Sequence, residues 1–293
     1  MSLFSNFNDF SSTEIIKSHL IKLTKSEKYR NHLNIDQLNK TADFIKSVFK
    51  QYTDCIFVQE YFVDDKTYKN IICSFGTENR KRIVIGAHYD VFEDQEGADD
   101  NASGVVGLLE LARLLRDRML NYRIDLVAFS LEEEPYFKSK SMGSYIHAKS
   151  LIDINADVYG MVCLEMIGCF KDERHSQTYP MKFLSLIYGN QGDFIILARK
   201  FASGKFVKIF CKQFKLTQKI KTKEFIGLQD FVGIDRSDHI NYWKFGISAL
   251  MITDTAFYRN ENYHKHTDTW ETLDLKRMAR VIDGIFMAIS TLV

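Results

Sequence analysis

Residues 82–113 read RIVIGAHYDVFEDQEGADDNASGVVGLLELAR, and the parsing of this stretch decides the fold. A short apolar run ends at His88 and Asp90, and a polar loop then carries the chain to the acidic pair Asp99 and Asp100. Residues 101–104 open a helix, in which Val105, Leu108, Leu109, Ala112 and Leu115 recur at helical spacing. An imidazole and carboxylates placed at a strand end and a helix start form a metal-ligand layout. The same residues also suit a hydrogen-bonded histidine at a strand end and an aspartate capping a helix, so the rest of the chain has to arbitrate.

Outward from that stretch, three further short runs are nearly all apolar: residues 124–129, 159–164 and 247–252. Runs of this length and composition suit strands buried on both faces by helices. Strand, helix, strand is the order this predicts from residue 82 to residue 129, and the fold class is α/β. The expected architecture is a three-layer α/β/α sandwich around a mixed, mostly parallel central sheet. Residues 12–23 and 35–49 carry apolar positions at helical spacing, with Ile35, Leu38, Ala42, Ile45, Val48 and Phe49 on one face, and read as packing helices. Residues 56–62 and 68–75 are rich in β-branched and aromatic side chains, as paired strands at a sheet edge would be. The chain has two prolines, no Gly/Ser-rich linker and no repeat. It therefore reads as one catalytic domain, 1–293, with residues 1–50 a helical segment packed on it.

Composition narrows the partners. Lys plus Arg number 39 against 38 Asp plus Glu, which predicts neither a nucleic-acid nor a membrane surface. Five cysteines, Cys55, Cys73, Cys163, Cys169 and Cys211, are odd in number and lack CxxC spacing, which favours free thiols in a reducing compartment. The opening residues have no basic start followed by an apolar core, and no run is long enough to span a bilayer, so the expected location is cytoplasmic.

In α/β sheets, ligands gather beyond the carboxyl ends of the strands. Polar residues follow all four apolar runs: His88 and Asp90 the first, Glu132, Glu133 and Glu134 the second, Glu165 the third, and, after a loop, Tyr263 and His264 the fourth. A solvated loop explains the glutamate run as well as a site does, and a surface position explains His264. Glu165 is harder to dismiss, because a carboxylate between Leu164 and Met166 is costly unless paired or bound to metal. Two imidazoles and three carboxylates without a thiolate suit zinc, with cobalt or manganese as alternatives. The count suggests two ions, one carboxylate bridging them, and a spare carboxylate from residues 132–134 to move protons.

The segments IGAHYD, GADDNASG, LVAFSLEEEPYF with a following MGS, VCLEMIG, RSDHINYWKFGISALMITDTAF and NENYHKHTDTWETLD resemble the co-catalytic dizinc aminopeptidase family. That family includes bacterial leucyl aminopeptidases and shares its fold with glutamate carboxypeptidase and glutaminyl cyclase. The resemblance runs from about Leu33 to the C-terminus. It implies that His88 binds one zinc with Glu165, that Glu133 and His264 bind the other, and that Asp100, the second aspartate of its motif, bridges. It implies Glu132 as general base and acid, Asp90 as the group orienting the His88 ring, a cis peptide after Asp100, and Tyr263 as an oxyanion donor or a packing tyrosine. Asp238 and His239 fall in the site neighbourhood, and Asp268 is either a partner of the ligands or a cap for the last helix. The implied activity is removal of N-terminal residues from peptide or aminoacyl substrates. A glutaminyl cyclase-type acyltransferase and a metal-free binding module are the alternatives.

Two departures from the family pattern stand out: Glu165 where many relatives have Asp, and Lys265 with His266 where they have a small polar residue and proline. His266 is then a rim histidine or a substrate contact. Residues 194–216 are expected to contain an amphipathic helix with Lys205, Lys208, Lys212 and Lys215 on its polar side, a solvated face or a wall of the substrate groove. Phe225 or Phe231 would then line a specificity pocket. Oligomeric state is not encoded in any feature of the sequence.

Overall fold

The computed structural model describes residues 10–229 and 233–292. In chain order its main elements are α1 (Thr13–Thr24), α2 (Ile35–Phe49), β1 (Ile56–Val63), β2 (Lys66–Phe75), β3 (Arg82–His88), α3 (Gly104–Leu115), β4 (Arg123–Phe129), α4 (Gly143–Asp153), β5 (Val158–Glu165), α5 (Leu184–Tyr188), β6 (Ile195–Lys200), α6 (Gly204–Leu216), β7 (Thr222–Gly227), α7 (His239–Lys244), β8 (Ala249–Thr253) and α8 (Leu275–Ser290). The strands form one mixed sheet in the order β1-β2-β4-β3-β5-β8-β6-β7. Its centre, β4-β3-β5-β8, is parallel throughout. The β1-β2 hairpin joins β4 antiparallel at one side, and β6 meets β8 antiparallel at the other before pairing in parallel with β7.

The short apolar runs form the central strands because helices bury them on both faces. On one face α1, α2, α3, α6 and α8 enclose a core that includes Leu20, Leu38, Ile85, Leu108, Phe210 and Ile285. The opposite core, under α4 and α7, is built from residues such as Val84, Phe129, Met161, Trp243 and Met251. Close packing leaves no room for a side chain at Gly86 of β3, where a Cβ would lie 2.2 Å from the Phe129 ring. The final helix is capped by Asp274, whose carboxylate accepts the Arg277 N–H at 2.9 Å. That leaves Asp268 for another task.

Two features differ from expectation. Residues 194–216 hold the strand β6 and then the helix α6, and β7 follows within the lysine-rich stretch. The apolar part of β6 is only four residues, Ile195–Ala198, too short to show a strand period of its own ahead of the helix. The helix expected to open at residues 101–104 begins at Gly104, and residues 101–103 belong to an irregular turn, Ala98–Ser103, in which Asp100 and Asn101 have non-helical backbone angles. No helix among the described residues is long and apolar enough to cross a membrane.

Candidate metal centre

The four parallel strands end side by side, so residues far apart in sequence meet at one rim. His88 is the last residue of β3 and Glu165 the last of β5, while the loops leaving β4 and β8 bring in Glu132, Glu133 and His264. Asp100 lies between them. Its Oδ1 is 3.4 Å from His88 Nε2, and its Oδ2 is 3.2 Å from His264 Nε2. Glu165 Oε2 stands 3.4 Å from His88 Nε2, and Glu133 Oε2 stands 3.5 Å from His264 Nε2. Two donor sets result, His88/Asp100/Glu165 and Asp100/Glu133/His264, with one carboxylate common to both. Glu132 Oε2 lies 3.9 Å from His88 Nε2, beside both sets.

The donors fit zinc. Ligand atoms held 2.0–2.2 Å from a tetrahedral ion are about 3.3 Å apart, close to these separations and long for strong hydrogen bonds. His264 Nε2 and Glu133 Oε1 are buried without a hydrogen-bond partner. Charge points the same way. Burial opposes the ionisation of Asp100, yet the His264 and His88 imidazoles hold its carboxyl well below the usual carboxylate range. Burial pushes Glu133 up to about 7, and Glu132 and Glu165 also rise. Burial works against a proton on His264, but Asp100 and Glu133 carry its pKa up to about 10. Three carboxylates with raised pKa values, an ionised Asp100 and two imidazoles that hold their protons form a cage short of positive charge.

Surrounding groups hold this geometry. His88 Nδ1 lies 3.2 Å from the Asp90 backbone carbonyl, which leaves Nε2 facing the cluster, whereas the Asp90 carboxylate is 3.6 Å away. That carboxylate instead accepts the backbone N–H groups of Glu132 and Glu133, each at 3.1 Å. Asp268 accepts the N–H groups of Asp99 and Asp100 and so anchors the turn that carries Asp100. The peptide bond between Asp100 and Asn101 is cis. Asn101 donates to the Leu164 carbonyl and accepts the Met166 N–H, tying this turn to the end of β5. Gly104 closes the motif where a Cβ would meet Asn101 Oδ1 at 2.4 Å. Asp99 is engaged elsewhere, accepting from Gly168 N–H and Asn260 Nδ2.

Asp238 is fully buried near His88, with neither carboxylate oxygen in a hydrogen bond, and burial raises its pKa. His239 faces away, with Nε2 2.6 Å from the Ile234 carbonyl. Tyr263 stacks on His264 with ring centroids 3.9 Å apart, and Phe92 covers the other face of that ring at 4.2 Å. His266 is exposed. Lys205, Lys208, Lys212 and Lys215 form an exposed face of α6, while Phe225 lines an apolar pocket beside the cluster. Phe231 lies outside the described residues.

Three supporting residues escaped the reading of the sequence. Ser237 donates to Glu165 Oε2 at 2.6 Å, which matches the longer glutamate side chain to its place. Phe92 is one. Arg30, buried in the segment read as packing alone, donates to the carbonyls of Glu96 and Gly97 on the loop leading to Asp100. Ser237 stands next to the motif aspartate and was within reach of motif reasoning. Arg30 and Phe92 had no local signal.

A parallel-centred sheet whose strand ends gather two imidazoles and four carboxylates at one groove defines a hydrolase scaffold of the zinc-peptidase type. Residues 70–289 match the model of Peptidase family M28, and the chain belongs to that family. It is 40% identical over 287 residues to the Escherichia coli K12 protein YfbL, covering 94% of this chain and 86% of that one. A shorter match, 31% over 103 residues, is to aminopeptidase YwaD of Bacillus subtilis, covering 33% of this chain and 23% of the relative. Among solved structures, the LapA aminopeptidase of Legionella pneumophila superposes with a TM-score of 0.74 at 19% identity, over 95% of this chain and 71% of that one. The glutaminyl cyclase of Porphyromonas gingivalis reaches 0.71 at 18% identity, over 96% and 99%. These two likenesses show the shared fold.

Proposed function

We propose that the protein is a zinc-dependent exopeptidase, an aminopeptidase that hydrolyses the N-terminal residue from peptides. The observation that carries this reading is the Asp100 carboxylate, with one oxygen toward His88 and Glu165 and the other toward His264 and Glu133. In the proposal His88 and Glu165 hold one ion, Glu133 and His264 the second, and Asp100 both. Bound there, the two ions would polarise the scissile carbonyl and lower the pKa of water toward neutrality. Glu132 is left to move the proton. Its carboxylate, raised by burial, accepts a proton from the attacking water and returns it to the departing amine. Tyr263, on the rim of the same groove, is placed to donate to the developing oxyanion. Asp90 and Asp268 act through the backbone by holding Glu132, Glu133 and Asp100 in place. The five free cysteines support a reducing, cytoplasmic setting.

The test is hydrolysis of aminoacyl amides and short peptides by zinc-loaded protein, beside Glu132→Gln and with metal content measured on both. Two zinc ions in each and turnover in the wild type alone is the expected result. Turnover by the variant near the wild-type rate removes Glu132 from its role. One ion together with cyclisation of N-terminal glutamine would replace the peptidase reading with a cyclase.

A further inference from the structure

We propose that the free edge of the sheet at β1 is a self-association surface, on which two copies of the chain pair their β1 strands antiparallel about a two-fold axis at Gln59. β1 is the first strand in the sheet order, with β2 as its one neighbour among the described residues. Its sequence, IFVQEYFV, carries one charge, no proline and no lysine, and its register with β2 runs unbroken from Ile56 to Val63. Edges of soluble sheets are blunted by lysines, prolines or bulges, and a long apolar edge without them is a template for another strand. Phe57 is 61% exposed and Phe62 78%, so apolar surface flanks the edge on both faces.

The ladder fixes which backbone groups are free. The Cys55 carbonyl accepts the Ser74 N–H at 2.9 Å, in the same register as the strand pairs that follow. Hydrogen-bonded residues alternate in an antiparallel ladder, so Phe57, Gln59, Tyr61 and Val63 bond to β2, while Val58, Glu60 and Phe62 turn both N–H and C=O outward. No described residue supplies a partner for those outward groups. Ile56 offers its carbonyl alone, because its N–H donates to the Asp54 carbonyl at 2.9 Å.

A second copy of β1 matches this edge in one register. With the axis at Gln59, Val58 exchanges hydrogen bonds with Glu60 of the second copy, Phe62 lies across from Ile56, and Phe57 lies across from Tyr61. Apolar side chains then meet across the new pair, and no like charges face each other within the strand. An axis at Glu60 would set the two Glu60 carboxylates opposite one another, and an axis at Val58 would set each Phe62 opposite Asp54, outside the strand. Both copies present the same edge, as a two-fold interface requires, and their eight-stranded sheets become one.

The test is sedimentation equilibrium of the full chain at about 50 μM, on wild type and Phe62→Glu. The wild type should sediment at twice the 34.1 kDa chain mass. Phe62→Glu sets a carboxylate opposite Ile56 and beside Asp54 of the second copy, and it enters the interface twice, so the dissociation constant should rise at least about 100-fold and leave a monomer. Phe62 is exposed in the single chain, so the variant should keep the wild-type far-ultraviolet circular dichroism. In a Cys55→Ser background, which removes the exposed native thiol, Gln59→Cys should form an intermolecular disulfide under mild oxidation. Residues at the axis are a non-hydrogen-bonded pair with Cα atoms about 4.5 Å apart, whereas Phe57→Cys, about 14 Å from its copy, should not cross-link. A monomeric wild type at this concentration overturns the proposal, and slow exchange of the Val58, Glu60 and Phe62 amides in that monomer would assign the edge to another segment of the chain. An assembly that Phe62→Glu leaves intact, or equal cross-linking at residues 57 and 59, overturns it as well.

Discussion

Replacing Asp90 with asparagine tests how the metal cluster is held. The carboxylate is 2% exposed, with one oxygen on the Glu132 N–H and the other on the Glu133 N–H, both at 3.1 Å. Asparagine keeps a single acceptor and turns an NH2 toward the other peptide. Exchanging a charge-assisted bond for a neutral one costs about 1 kcal/mol, and leaving a buried N–H unpaired costs about 1–3 kcal/mol more. Asp90→Asn should therefore lose about 2–4 kcal/mol of stability, read from urea unfolding of the metal-free protein. The two peptides carry the proposed base and one proposed ligand, so zinc affinity should fall about 10–100-fold, measured by competition with a chromogenic chelator. His88 keeps its contact with the Asp90 backbone carbonyl, so the damage should centre on Glu132 and Glu133. A variant within about 0.5 kcal/mol of wild type, binding zinc within about twofold, would show that the β4 loop is held by other means.

Four further outcomes follow from the same geometry. Glu165→Asp draws the carboxylate back about 1.5 Å from Ser237 and His88, and should cut zinc affinity and kcat/KM about tenfold or more; unchanged values would mean that the site tolerates the shorter ligand. Gly86→Ala drives a methyl against Phe129 and should cost about 1–3 kcal/mol in urea unfolding, while an unaltered midpoint would contradict the packing. His147 is buried against the Tyr242 hydroxyl at 2.6 Å, and burial pushes its pKa down to about 4. Because the unfolded histidine takes its proton near pH 6.5, full stability above that pH should fall by about 3 kcal/mol as pH drops to 4, and His147→Phe should flatten this slope by up to one proton. Chelation should abolish activity and lower the unfolding midpoint, with zinc restoring both; at about 100 times its dissociation constant, zinc contributes about 2.7 kcal/mol.

Legibility in the sequence tracked the range of the interaction involved. The apolar runs that became β3, β4, β5 and β8 could be read locally, and the motifs placed His88, Asp100, Glu132, Glu133, Glu165 and His264 near their ends. The strand β6 was lost because its apolar part, Ile195–Ala198, is four residues long, and the strand and helix periods cannot be separated over so short a span. The Asp90 carboxylate was expected on the His88 ring two residues away. It stands 3.6 Å from that ring and also accepts from peptides more than forty residues on, a contact that no local pattern encodes.

By itself, the sequence determined the layered α/β class, the chemical type of the donors and their attachment to strand ends, since periodicity and side-chain chemistry are properties of the chain. Only the tertiary structure decided which oxygen of Asp100 faces which imidazole, that Asp268 anchors the turn and leaves the last helix to Asp274, and that Ala198 lies between Met251 and Phe225. These depend on the parallel pairing of β3, β4, β5 and β8 and on the register of β6. Strand order and register arise from packing the whole sheet between its two helical layers, so they are collective and have no single-segment signature.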